Sequence, residues 1–163
     1  MATLGERAEF RIGHFGSVLV VVWFKEPTVA SLDELERHHV DLAARFSKVT
    51  LLSVLLSASA SPPPEVRRKI DAQTPKLQAL RHGLFAVVLA KGLAAIFIRT
   101  FLAALSLVSS EYMRVCKTID EAAREIRSMP GQDAPTRGND ALAAQLADFV
   151  RVPAPDVTPA NVA

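Results

Sequence analysis

Three alternating serines, Ser57, Ser59 and Ser61, lead into Pro62-Pro63-Pro64 directly after an apolar run of strand length, VTLLSVLL (49–56). Open α/β sheets place ligands beyond the carboxyl ends of their strands, and a helix N-terminus favours an anion. This turn is therefore a candidate phosphoacceptor, with Arg67 and Arg68 near enough in sequence to pair with a phosphate. The same residues equally make an ordinary serine turn, with Ser61 as helix cap and Pro62 in the first helical turn, where its missing N–H costs nothing.

Other chemistry-bearing groups do not assemble into a catalytic pattern. His38 and His39 are adjacent, so on a helix they point about 100° apart and do not share a metal as residues four apart would. His14 and His82 are isolated. Gly13 and Gly16 lie before a strand rather than between strand and helix, so they form no phosphate-binding loop. No G-x-S-x-G nucleophile turn is present. Cys116 is the only cysteine, which excludes an intrachain disulfide and reads as a small core residue. We therefore expect no enzyme, no metal and no cofactor.

Composition sets the frame that positions these groups. The 163 residues fit one domain; half are apolar, 22% are charged and the formal charge is +2. That charge is too small to argue for nucleic acid. The opening MATLGERAEFRIG mixes charges and has no apolar core of signal-peptide length, so a cytoplasmic protein is expected.

Strands and helices alternate along the chain. A short strand is expected over 9–14, then VLVVVWF (18–24), an unbroken run typical of a strand buried on both faces. Ser31-Leu32-Asp33-Glu34 reads as a capping box for a helix to about residue 47. After the strand over 49–56, a helix starting near Ser61 is expected to kink or restart at Thr74, because of Pro75, and to end at Gly83 in a left-handed cap. LFAVVLA (84–90) is the third apolar strand. Gly92 then turns the chain into the apolar helix 92–109, and YMRVCK (112–117) and a helix capped by Thr118 and Glu121 follow. The fold class is thus α/β: a single domain over 8–129, with a mixed, mostly parallel sheet of about five strands and four helices, in the order ββαβαβαβα. Residues 130–163 read as a flexible C-terminal tail, in which Asp140 can cap a short helix over 140–150.

Over 9–129 this order, with the ending YMRVCKTIDEAAREI, resembles the STAS and SpoIIAA-like group. The resemblance implies a non-enzymatic regulatory interaction domain. Phosphoswitched members carry an Asp-Ser-Ser-Gly-like turn where this chain has Ser57-Ala58-Ser59-Ala60-Ser61-Pro62, lacking both the Asp and the Gly.

The helix over 92–109 carries one charge, Arg99, among its apolar residues, with Ala103, Ser106 and Ser110 on the same narrow stripe. It is short for a membrane span, which needs about 20 apolar residues, and a crossover helix between strands does not also cross a bilayer. Packing on a sheet covers a stripe about 100° wide, and the apolar residues extend further. Ile96, Phe97, Phe101 and Leu105 are therefore the candidate partner surface. It would serve either a homodimer or another protein, or else form the lid of a carrier or sensor of an apolar small molecule such as a lipid, as in related lipid-carrying domains.

Overall fold

The run VLVVVW forms the centre of a six-stranded sheet in the computed structural model, which describes residues 1–57, 62–108 and 112–151. The strands are β1 (Ala2–Glu6), β2 (Phe10–Phe15), β3 (Val18–Trp23), β4 (Val49–Leu55), β5 (Arg81–Val88) and β6 (Met113–Cys116). They lie in sequence order across the sheet. β1, β2 and β3 form an antiparallel meander, and β3 to β6 are parallel. The helices are α1 (Val29–Phe46), α2 (Pro64–Ala79), α3 (Leu93–Val108), α4 (Ile119–Ser128), α5 (Ala134–Arg137) and α6 (Leu142–Arg151).

Every parallel crossover advances one strand in the same direction, so right-handed connections place α1, α2 and α3 on one face. Side-chain alternation agrees. Leu19, Val21, Trp23 and Leu51 pack with Leu32, Leu35 and Leu42 of α1 and Val66 of α2. Val88 meets Ala95, Ile98 and Leu102 of α3. The opposite residues of the same strands, Val18, Val20, Val22, Leu52, Phe85 and Val87, need a different cover. They find it in Ala122, Ala123 and Ile126 of α4 and in Leu142, Leu146 and Phe149 of α6. That two-sided burial is why β3 has no polar position.

Several expectations are corrected here. The sheet has a sixth strand, β1, before residue 8, and the described residues form six helices rather than four. Residues 130–151 are not a flexible tail: the short helix expected over 140–150 is present as α6, and it lies in the core as far as residue 149. Asp140 does not cap α6; it pairs with Arg127, and Asn139 Oδ1 accepts from the Ala141 N–H instead. Gly83 is a strand residue opposite Thr50 rather than a helix cap, and α2 continues through Pro75.

The first helix also begins earlier than expected. Thr28 is its cap, in extended backbone conformation, and accepts from the Ser31 N–H at 3.2 Å, while Ser31 Oγ accepts from the Thr28 N–H at 2.8 Å. Ser31 is thus the third residue of a capping box that starts at Thr28. Glu34, freed from capping, faces Arg7 and His38. Replacing Thr28 with Ala should cost about 1 kcal/mol in urea unfolding, and an unchanged midpoint would show that the reciprocal bond is dispensable.

A polar knot fixes α5 to the amino end of the sheet. The Ser17 N–H donates to Asp133 Oδ2 at 2.6 Å, Ser17 Oγ donates to Gln132 Oε1 at 2.9 Å, and Gln132 Nε2 donates to Thr50 Oγ1 at 2.8 Å. Gln132, Ser17 and Thr50 are buried, so these bonds replace those each group would make with water.

Candidate interaction face

The carboxyl ends of β4 and β5 lie side by side, with Leu55 opposite Val88. The chain leaving β5 reverses at Gly92, whose φ of +88° is a conformation that side-chain-bearing residues rarely adopt, and α3 begins immediately. Ser57 lies just past the end of β4, so the topology brings it and the start of α3 to one edge of the sheet.

Arg99 does not simply mark a solvent stripe. Its Nη2 donates to the carbonyls of Val88, at 2.6 Å, and Ala90, at 3.1 Å. These belong to the end of β5, beyond the bonds by which Leu89 and Ala90 N–H groups reach Leu55. A guanidinium satisfies both at once because its N–H groups fan out in a plane. One arm of the guanidinium is therefore held by the end of the sheet, while the residue stays exposed.

Beside the exposed Arg99, the described part of α3 shows apolar and neutral groups to solvent. Ala95, Ile98 and Leu102 face the sheet. Leu93 is 85% exposed and Ile96 is 57% exposed. Thr100 is exposed too, with its hydroxyl donating to the Ile96 carbonyl. Ile96 thus occupies the outward position expected of it. Phe97, Phe101 and Leu105 are on the same helix, but their side chains lie outside the described residues. Ser57 is half-buried in a bend, and Ser59 and Ser61 lie outside the described residues. α2 is preceded by Pro63 in the cap position, with no side-chain hydrogen bond there.

The histidines do not converge. His14 Nδ1 is 3.2 Å from the Gly16 carbonyl, His38 lies 3.9 Å from Glu34 on its own helix, and His39 is wholly buried under α1. Burial first, and nearby cations second, lower the pKa of His38 and His82. Burial pushes the Cys116 thiol up to about 11, which keeps it protonated and unreactive. Among the described residues no three His, Cys, Asp or Glu side chains are grouped to hold a metal. No helix there is long and apolar enough to cross a membrane.

An open groove of about 450 Å³ separates α1 from α2, lined by Asp33, Glu36, Arg37, Val40, Asp41, Lys69 and Lys76. Four of its charges pair with one another. Lys69 bridges Asp33 at 2.5 Å and Glu36 at 2.9 Å, and Lys76 reaches Glu36 at 2.7 Å. Those two lysines hold the Glu36 carboxyl below its usual pKa. The groove is a seam between two helices rather than a set of free groups. Its ion pairs join residues of two different helices and were not read from the sequence.

The chain matches no protein-family model, no curated protein and no solved structure.

Proposed function

We propose that this chain is a cytoplasmic, non-enzymatic interaction domain of the STAS or SpoIIAA-like type that self-associates through α3. The observation that carries the reading is the exposure of Leu93 and Ile96 on a helix whose one charge, Arg99, is engaged by the Val88 and Ala90 carbonyls. Exposed apolar side chains of this size are costly to leave in water and favourable to bury against a second copy. The mixed sheet and the crossover helix over Leu93–Val108 support the family reading, because they agree with the order of elements on which the resemblance rests. A single, buried cysteine fits a reducing compartment.

Size-exclusion chromatography with light scattering tests this directly. Wild type should associate with rising concentration, and Ile96→Asp should weaken that association by about tenfold to a hundredfold, the range typical of an interface anchor. Ile96 already faces solvent, so the thermal unfolding of the variant should match wild type. A wild-type protein that stays monomeric at high concentration, or a variant that associates as wild type does, would refute the reading.

A further inference from the structure

His39 is the one histidine placed inside the protein, at 0% exposure, and neither ring nitrogen has a hydrogen-bond partner. Its helix covers the sheet through Leu32, Leu35, Leu42 and Ala43. The groups around it disfavour a proton on balance. Arg81, at the start of β5, is buried and close enough for its charge to oppose a second one. The Leu80 carbonyl is the neighbour that favours a charged ring, but it is shared with the Val49 N–H at 2.9 Å and is outweighed by burial and Arg81. On α2 the buried polar side chain is the neutral Gln73, while Lys69 and Lys76 are held by Glu36 in the outer groove. On α1 itself Glu36, Arg37 and Asp41 line that same groove. β4 contributes the apolar Val49 and Leu51.

We propose that His39 makes α1 an acid latch: a proton taken up by the ring, buried beside a guanidinium, drives α1 off the sheet and opens the apolar face of β2, β3 and β4 reversibly. Charging an imidazole whose one neighbouring acceptor is a shared backbone carbonyl, in an apolar surround, is relieved by letting water in. Opening α1 does that and uncovers Phe10, Leu19, Val21 and Trp23.

The sign follows from the two states. Burial, with Arg81 second, lowers His39 to about 4 in the closed protein, against 6.5 for a ring in water. The closed state binds fewer protons, so its advantage is intact above pH 6.5, falls as pH drops through that value and stops changing below about 4. At about pH 5 the open state gains roughly 30-fold from this residue. The Glu36 carboxyl is held below its ordinary value by Lys69 and Lys76, so its titration does not supply this transition.

The single tryptophan, Trp23, is a buried reporter on the affected face. Its fluorescence, with the binding of an apolar dye, should show a reversible transition between about pH 6.5 and 4 in the wild-type chain. His39→Phe should move that transition at least one unit lower, and His38→Gln should leave it near the wild-type position. An unchanged profile in His39→Phe would overturn the proposal. Should that variant fail to fold, ring-carbon NMR of histidine-labelled wild type decides: His39 must remain neutral to below about pH 5, and a midpoint near 6.5 refutes the latch.

Discussion

A chain ending at Gly138 should fail to fold, although it keeps every strand of the sheet. The reason is the topology. Because α1, α2 and α3 all lie on one face, β3, β4 and β5 depend on later segments for their second cover, and α6 supplies Leu142, Leu146 and Phe149 to it. Burial of each such side chain contributes about 1.5–3 kcal/mol. Their joint loss, together with the re-exposure of Val18, Val20 and Val22, is comparable to a typical net stability of about 5–15 kcal/mol. Phe149 is seated with particular closeness: a Cβ at Gly13 would come 2.6 Å from its Cζ, so β2 carries a glycine where the ring presses. A milder version separates packing from chain length. Leu146→Ala, at a fully buried position, should lower stability by about 2–5 kcal/mol in urea. A shortened chain that keeps its near-ultraviolet circular dichroism and its cooperative unfolding would show that the second face is covered some other way.

The same topology explains what could and could not be read from the sequence. VLVVVW announces a strand buried on both faces, and β3 is one, because both of its faces meet helices. β1 was invisible: ATLGE is mostly polar or small, its residues are exposed or half-buried, and an edge strand needs neither alternation nor bulk. The spacing of Leu142, Leu146 and Phe149 suits one helix face, yet a ten-residue helix after a Pro- and Gly-rich linker passes for a tail. The signal that would have placed it was the connectivity, since three successive crossovers advancing one way leave a sheet face bare. For the candidate interaction face, the apolar character of α3 and the outward position of Ile96 were legible from composition. The fate of Arg99 was not, because its acceptors are carbonyls at the end of β5, brought within reach by the reversal at Gly92. Thr28 was missed as a cap because Ser31 three residues on, with Glu34 beyond it, gives the same motif one turn later.

Arg11→Ala should be strongly destabilising for a charged residue, at about 2–4 kcal/mol, through lost packing and an unsatisfied buried carbonyl. The side chain is 2% exposed, although it belongs to a strand that sequence alone describes as short and mixed. Its Nε donates to Glu6 Oε1 at 2.8 Å, Nη2 pairs with the same carboxylate, and Nη1 donates to the Phe149 carbonyl at 2.9 Å. The guanidinium lies 5.7 Å from the Phe24 ring centre and 5.5 Å from that of Phe149. One residue thus ties β1, β2 and the last turn of α6 together. Truncation strips the Phe149 carbonyl of its buried donor and leaves a void between two rings, losses that add to that of the ion pair. Arg11→Met with Glu6→Leu should recover part of the deficit, since Met refills the space between the rings and Glu6 is exposed on β1, so it was never a buried charge. A double-mutant cycle in urea measures the coupling. High salt should not mimic the single substitution, because the lost packing and the bond to the Phe149 carbonyl are not screened. An Arg11→Ala protein within about 1 kcal/mol of wild type would mean that this pair behaves as a surface one, and that Leu142, Leu146 and Phe149 alone hold α6 in place.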